Sequence, residues 1–281
     1  MSLVQKASQV SVHDSGKRYI LGSKVNIITC KDVTQKVLDW SERRESRYIC
    51  LANAHMIMEA YDSESFWKVL NSADLTTPDG MSIVWSFRIL GITSQKQICG
   101  RDLTLSICEE AAKRKISVGF YGSSQEVLEA LVINLKQRYP ALNIGYIYSP
   151  PFRPLCSEEE TAIMRDIKTS GIQILFVGLG CPKQEYWMAK HKQHFPGVMI
   201  GIGAAFDFLS GFKPCPPHWM QNMGLEWLFR LCLEPRRLWY RNLWHSPRLV
   251  ILFVLQVFQL LSLFNCIFPT TWLSSSDFKE F

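Results

Sequence analysis

The chain of 281 residues is 47% hydrophobic and 20% charged, with a formal charge of +6. That balance excludes an intrinsically disordered chain and suits one large α/β domain or two small ones. Nine cysteines, an odd count without Cys-x-x-Cys spacing, exclude a secreted disulfide scaffold and predict reduced thiols.

Residues 1–20 contain no apolar stretch of the signal-peptide type and are expected to form a flexible lead. Strand-type apolar runs follow at 24–30, 48–52, 75–77, 116–121, 144–148, 172–177 and 198–202. Helix-type patterns alternate with them near 54–71, 80–90, 102–114, 124–138, 157–170 and 184–194. The alternation predicts a Rossmann-like α/β core over 21–213, a parallel sheet flanked by helices. Ligands of such sheets bind beyond the carboxyl ends of the strands, so the strand-to-helix turns are where chemistry is sought.

From residue 214 the strand signal stops, and 214–281 reads as a helical appendage. Short helices are expected over 216–248, with Pro235 opening one and Pro247 breaking one. Between 213 and 248 six Lys or Arg residues stand against two Glu, interleaved with Trp219, Trp227, Trp239, Tyr240 and Trp244. Basic and aromatic residues in that mixture suit an anionic membrane surface. A nucleic-acid partner is disfavoured because the uncharged apolar run 249–268 follows directly. That run has the ~20 residues a bilayer span needs, but Gln256, Gln259, Ser262 and Asn265 interrupt it. A helix lying in the interface, a membrane span and a helix packed on protein all stay open.

Four turns and one strand end hold the candidate site residues. Asn53, at the end of a strand, is placed to cap the helix that begins near His55. Asp79 in Thr-Pro-Asp-Gly is either an N-cap or a general base for an attacking hydroxyl, with Gly80 beside it. Gly122 and Ser123 precede a helix whose amide groups suit an anion such as a diphosphate. Gly180, Lys183, Gln184 and Glu185 gather at another strand end, where Lys183 suits a phosphate and Gln184 a sugar or uracil. Asp207, between Phe206 and Phe208, suits a structural hydrogen-bonding role as well as a ligand contact. Asp-x-Asp, Gly-x-Ser-x-Gly, His-Glu-x-x-His, Walker A, the dinucleotide fingerprint and zinc-ligand spacing are all missing.

In order and combination, several segments resemble one family. They are ANAHMIMEA (52–60), NSADLTTPDG (71–80), GRDLT (100–104), FYGSS (120–124), GLGCPKQEYW (178–187), GIGAAFDFLSG (201–211) and HWMQNMGLEWLFRLCLEPRRLWYRNL (218–243). Together they resemble the WecG/TagA/CpsF glycosyltransferases, glycosyltransferase family 26, over residues 20–248. Asn-Ala-His and SPPFRPL (149–155) are most similar to the exopolysaccharide branch.

The resemblance implies inverting transfer of N-acetylmannosamine, its uronate or glucose from a UDP-sugar co-substrate to a polyprenyl-diphosphate-linked glycan. It implies no bound metal or other cofactor. It implies Asp79 as the base, with His55 the next candidate. It implies substrate contacts at Asn53, Gly80, Arg101, Gly122, Ser123, Gly180, Lys183, Gln184, Glu185 and Asp207. Arg230, Arg237 and Arg241, with Arg236 as a further option, are the implied arginines at the donor diphosphate and the membrane. The implied location is peripheral, on the cytoplasmic face of a bacterial inner membrane; homo-oligomerisation is left open. The chain departs from the family pattern at Leu51, where teichoic-acid members carry Thr, at Gln97, where an Arg is common, and at 214–218, where a basic run is usual. Those departures keep a second reading in view, a catalytically silent membrane-bound scaffold of a polysaccharide assembly complex. An oxidoreductase is disfavoured by the missing dinucleotide fingerprint.

Overall fold

The computed structural model describes residues 16–217, 219–220 and 223–258, without the side chains of Arg237, Tyr240, Arg241 and Asn242. Strands β1 (Lys17–Ile20) and β2 (Ser23–Asn26) form an antiparallel hairpin. Its turn residues Leu21 and Gly22 both have positive φ. The expected strand over 24–30 is therefore short, and β1 pairs with it from the end of the expected lead. Helix α1 (Cys30–Glu42) follows, with the Thr29 hydroxyl accepting from the Asp32 amide at 3.2 Å. The apolar periodicity had not marked this helix.

Next come β3 (Arg47–Ala52), α2 (Ala54–Asp62), α3 (Glu64–Asn71), β4 (Leu75–Pro78), α4 (Met81–Ile89) and α5 (Gly100–Arg114). The pattern over 54–71 is two helices rather than one. Ser63 leaves helical geometry and its hydroxyl accepts from the Phe66 amide, opening α3. The core continues with β5 (Ser117–Gly122), α6 (Gln125–Arg138), β6 (Asn143–Tyr148), α7 (Ser157–Thr169), β7 (Ile174–Gly178), α8 (Lys183–His191), β8 (Val198–Gly201) and α9 (Ala205–Leu209).

Six strands form one parallel sheet in the order β4-β3-β8-β7-β5-β6. Alternate side chains feed two cores. Leu175 and Val177 of β7 join Met56, Phe66, Phe87 and Met188 on one face. Ile174 and Phe176 join Val37, Leu103, Leu128 and Phe206 on the other. Burial on both faces is why the central strands read as unbroken apolar runs rather than as alternation. Edge strand β6 alternates between half-buried and exposed.

The C-terminal segment contains α10 (Glu226–Leu233), α11 (Pro235–Tyr240), a π-helical turn (Arg241–His245) and α12 (Ser246–Val257). Pro235 opens α11 as expected. Pro247 does not break a helix; it lies in the first turn of α12, where its missing N–H costs nothing. Leu249 and Phe253 of α12 are buried in the first core. Arg248 pairs bidentately with Asp62, both distances 2.6 Å. Gln256 accepts from the Leu21 amide at 2.9 Å and donates to the Tyr19 carbonyl at 3.1 Å. So the described half of the 249–268 run packs on the core. Its other face leaves Val250, Ile251, Val254 and Phe258 exposed. No helix among the described residues is long and apolar enough to cross a membrane; 259–268 lie outside them.

Candidate active site

The ends of β3, β4, β5, β7 and β8 open into one cleft of about 1240 Å³, walled on one side by the C-terminal segment. Asn53, His55, Asp79, Arg101, Ser123, Gly180, Lys183, Gln184, Asp207 and Arg230 all line it. The sheet topology brings these separate turns together.

Asp79 is half-buried at the end of edge strand β4. Its amide and that of Gly80 both donate to the Ala52 carbonyl, at 2.9 and 3.1 Å, which ties the ends of β3 and β4. Gly80, not Asp79, is the N-cap of α4. The Asp79 carboxylate is thus left to the cleft, where the neighbouring Asn53 side chain and Gly100 amide favour its charged form. Asn53 serves two partners. Its Oδ1 caps α2 by accepting from the Met56 amide at 3.2 Å. Its amide nitrogen is the group that can donate to Asp79. Desolvation and the neighbouring Glu226 carboxylate push Asp79 up to about 7, against the pull of Arg230, Asn53 and Gly100. A carboxylate held near neutrality is suited to general-base work. Gly80 does not line the cleft; a Cβ there would lie 3.1 Å from the Asn53 Cβ, so glycine permits this close turn.

Gln184 is buried at the start of α8. Its Oε1 accepts from the Gly180 amide at 3.2 Å, and its Nε2 donates to Glu185 at 2.7 Å. Gly201 opens the space it fills, since a Cβ there would lie 3.0 Å from Nε2. Glu185 is fully buried, does not line the cleft, and burial pushes it up to about 7. The expectation of a substrate contact at Glu185 is corrected: it orients Gln184 from behind. Lys183 is exposed at the cleft rim.

The expected anion cradle after β5 is partly taken up by packing. Gly122 packs onto Gly178, and a Cβ on it would lie 2.5 Å from the Gly178 carbonyl oxygen. The Ser123 amide donates to that same oxygen at 3.2 Å. Glu126, in the first turn of α6, is exposed and outside the cleft, and interacts with Ser124, which lines it.

Arg101 lines the cleft with its Nε donating to Asp102 at 2.9 Å. Asp207 pairs with Lys213, which also reaches Glu234 at 3.1 Å, so it anchors the C-terminal segment to α9. Arg230 lies over the Phe208 ring at 5.5 Å. Leu51 lies at the cleft floor, while Gln97 is outside it. Backbone at 236, 237 and 241 is on α11 and the π-helical turn; the side chains of Arg237 and Arg241 lie outside the described ones. The eight described cysteines are free thiols.

Several cleft residues had not been singled out. Glu226 faces Asp79 from α10, and His245 enters from the π-helical turn. Tyr121 and Trp187 stack at 4.5 Å and form an aromatic wall, with Pro150–Pro151–Phe152 on the rim. Tyr121 and Trp187 stood inside the quoted motifs; an aromatic at a strand end was the available signal.

The family model for the glycosyl transferase WecG/TagA/CpsF family matches residues 18–262. A protein of Bacillus spizizenii (strain W23) named N-acetylglucosaminyldiphosphoundecaprenol N-acetyl-beta-D-mannosaminyltransferase is 30% identical over 208 residues, 72% of this chain and 77% of its own. Its namesake in Bacillus subtilis (strain 168) is 30% identical over 201 residues, covering 69% and 74%. That of Staphylococcus aureus (strain NCTC 8325) is 27% identical over 228 residues, covering 80% and 88%. With a match across most of its length and its motifs gathered around one cleft, the chain belongs to the WecG/TagA/CpsF glycosyltransferase family.

Proposed function

We propose that this glycosyltransferase moves a hexose or N-acetylhexosamine, of the N-acetylmannosamine type or glucose, from a UDP-sugar to a polyprenyl-diphosphate-linked saccharide. The relatives' names support the acceptor, since each describes transfer to N-acetylglucosaminyldiphosphoundecaprenol. The observation that carries the mechanism is Asp79, lining the cleft with Asn53, Gly100 and Arg230 around it.

Asp79 takes the proton of the acceptor hydroxyl as that oxygen attacks the anomeric carbon. The bond from that carbon to the UDP oxygen breaks on the opposite face, so the anomeric centre inverts. Negative charge grows on the departing diphosphate. Arg230, the cleft's Arg101 and the rim Lys183 supply positive charge there. With Asp-x-Asp missing from the sequence, the reading gives this task to cationic side chains rather than to a metal clamp.

The exposed apolar face of α12 and exposed Trp219, Trp227, Trp239 and Trp244 support docking on a lipid surface, where the acceptor resides. On this reading the reaction takes place at the cytoplasmic face of a bacterial inner membrane.

The test is transfer from radiolabelled UDP-sugars to polyprenyl-diphosphate glycans without added metal, for wild type and Asp79→Asn. One donor used by wild type and lost in the variant supports the reading. A variant as fast as wild type removes Asp79 as base; no transfer from any donor favours the scaffold.

A further inference from the structure

A second cluster lies on the cleft wall and joins the core to the C-terminal segment. His55 and Glu59 are four residues apart on α2, so both project from one face. His245 comes from the π-helical turn before α12, and such turns recur at functional sites. His55 Nδ1 lies 3.6 Å from Glu59 Oε1, too far for a hydrogen bond between those two atoms. The two imidazoles meet edge to face, centroids 5.1 Å apart. One donor atom from each of the three residues lies within 4.8 Å of the others. His245 is 5% exposed, and the side chains of His55 and Glu59 are 16% and 32% exposed.

Two imidazoles and a carboxylate form a donor set that borderline metals take, with a fourth position left for water. Zinc bonds of about 2.0–2.2 Å place tetrahedral ligand atoms roughly 3.3–3.5 Å apart. The His55–Glu59 separation is already close to that, and the 4.8 Å limit leaves only a side-chain adjustment for His245. Both histidines bind as neutral rings, and the carboxylate offsets one of the metal's two charges.

We propose that His55, Glu59 and His245 bind one divalent transition-metal ion of the zinc class, which clasps the C-terminal segment onto the core. The clasp lines the same cleft as Asp79 and Arg230, and the transfer chemistry is not routed through it. Its effect is to hold the π-helical turn against α2, and so to favour the docked state of the segment that carries Glu226 and Arg230.

The test uses the full chain stripped of metal under reducing conditions and titrated with Co²⁺, then with Zn²⁺. One equivalent of Co²⁺ is expected to give visible d–d bands that Zn²⁺ abolishes. Zn²⁺ is expected to raise the melting temperature and slow proteolysis of the C-terminal segment. Glu59→Gln and His245→Asn should each weaken binding by at least about tenfold. Should a variant fail to fold, X-ray absorption of the zinc-loaded wild type decides alone. Imidazole scattering with nitrogen and oxygen neighbours supports the clasp. A sulfur-dominated shell, binding retained in both folded variants, or no binding by wild type overturns it.

Discussion

The two walls of the cleft are built differently. The core wall is fixed by backbone: Gly122 on Gly178, Gly201 under Gln184, and the Asp79 and Gly80 amides sharing the Ala52 carbonyl. The C-terminal wall reaches the site through side chains. Glu226 and Arg230 face Asp79 from α10, and their segment is secured by Lys213, Arg248, Gln256, Leu249 and Phe253. The first wall carries the base and the second sets its electrostatics. The α/β sheet holds the carboxylate through its own backbone, while the charges around it come from a segment packed on separately.

Asp79→Asn tests the core wall and should have the largest effect, a loss of about 10²–10⁴-fold in transfer rate. For wild type, kcat/KM should rise with pH through about 7 as Asp79 ionises. The stability effect has the opposite sign. The folded state holds this proton more tightly than the unfolded chain, whose Asp ionises near 3.8. Folded-state stability therefore falls as pH climbs from about 4 to 7 and stays lower above it. The asparagine variant should thus lose its rate yet melt no lower than wild type at pH 8, and a clearly lower melting temperature would count against the desolvated carboxylate.

Arg230→Ala tests the C-terminal wall and should cost about 10²-fold in rate. It should also move the pH limb upward, since Arg230 holds Asp79 down. Phe253→Ala, remote from the chemistry, should cost about 3–5 kcal/mol of stability if α12 is integral to the first core. A cost near zero, read by denaturant unfolding, would mean the helix is only loosely placed. The smallest effect is expected for Glu226→Gln, a downward move of the pH limb by a few tenths to about one pH unit. Arg230 and Glu226 variants shifting the limb in the same direction would break the assignment of opposite roles.

Much of the core wall was legible because strand-end turns follow directly from apolar runs, as at Asn53, Asp79 and Gln184. Helix α1 was missed because its polar face is long and the preceding run was extended to Cys30. The split at Ser63 was missed because helical periodicity resumes at once. The C-terminal wall was legible in its residues but not in their partners. Nothing local to Glu226 announces Asp79, and nothing near Gln256 announces the β1–β2 turn. Gln256 read as polar interruption of an apolar run; in the fold it pairs with backbone that such a helix would otherwise leave unmet. Glu185 misled for the converse reason: its neighbours in the turn face the cleft, while Glu185 itself is taken up by packing.

The two-sided amide of Asn53 limits how this position can change through mutation or ageing. Aspartate and serine cap helices about as well as asparagine, so the fold of α2 would tolerate either. Neither pairs an acceptor for the Met56 amide with an NH₂ group turned to the Asp79 side. Spontaneous deamidation would place a second carboxylate against the base while leaving the cap intact. An aged molecule would then remain folded, bind its partners through the same surfaces, and have its base ionise only at higher pH.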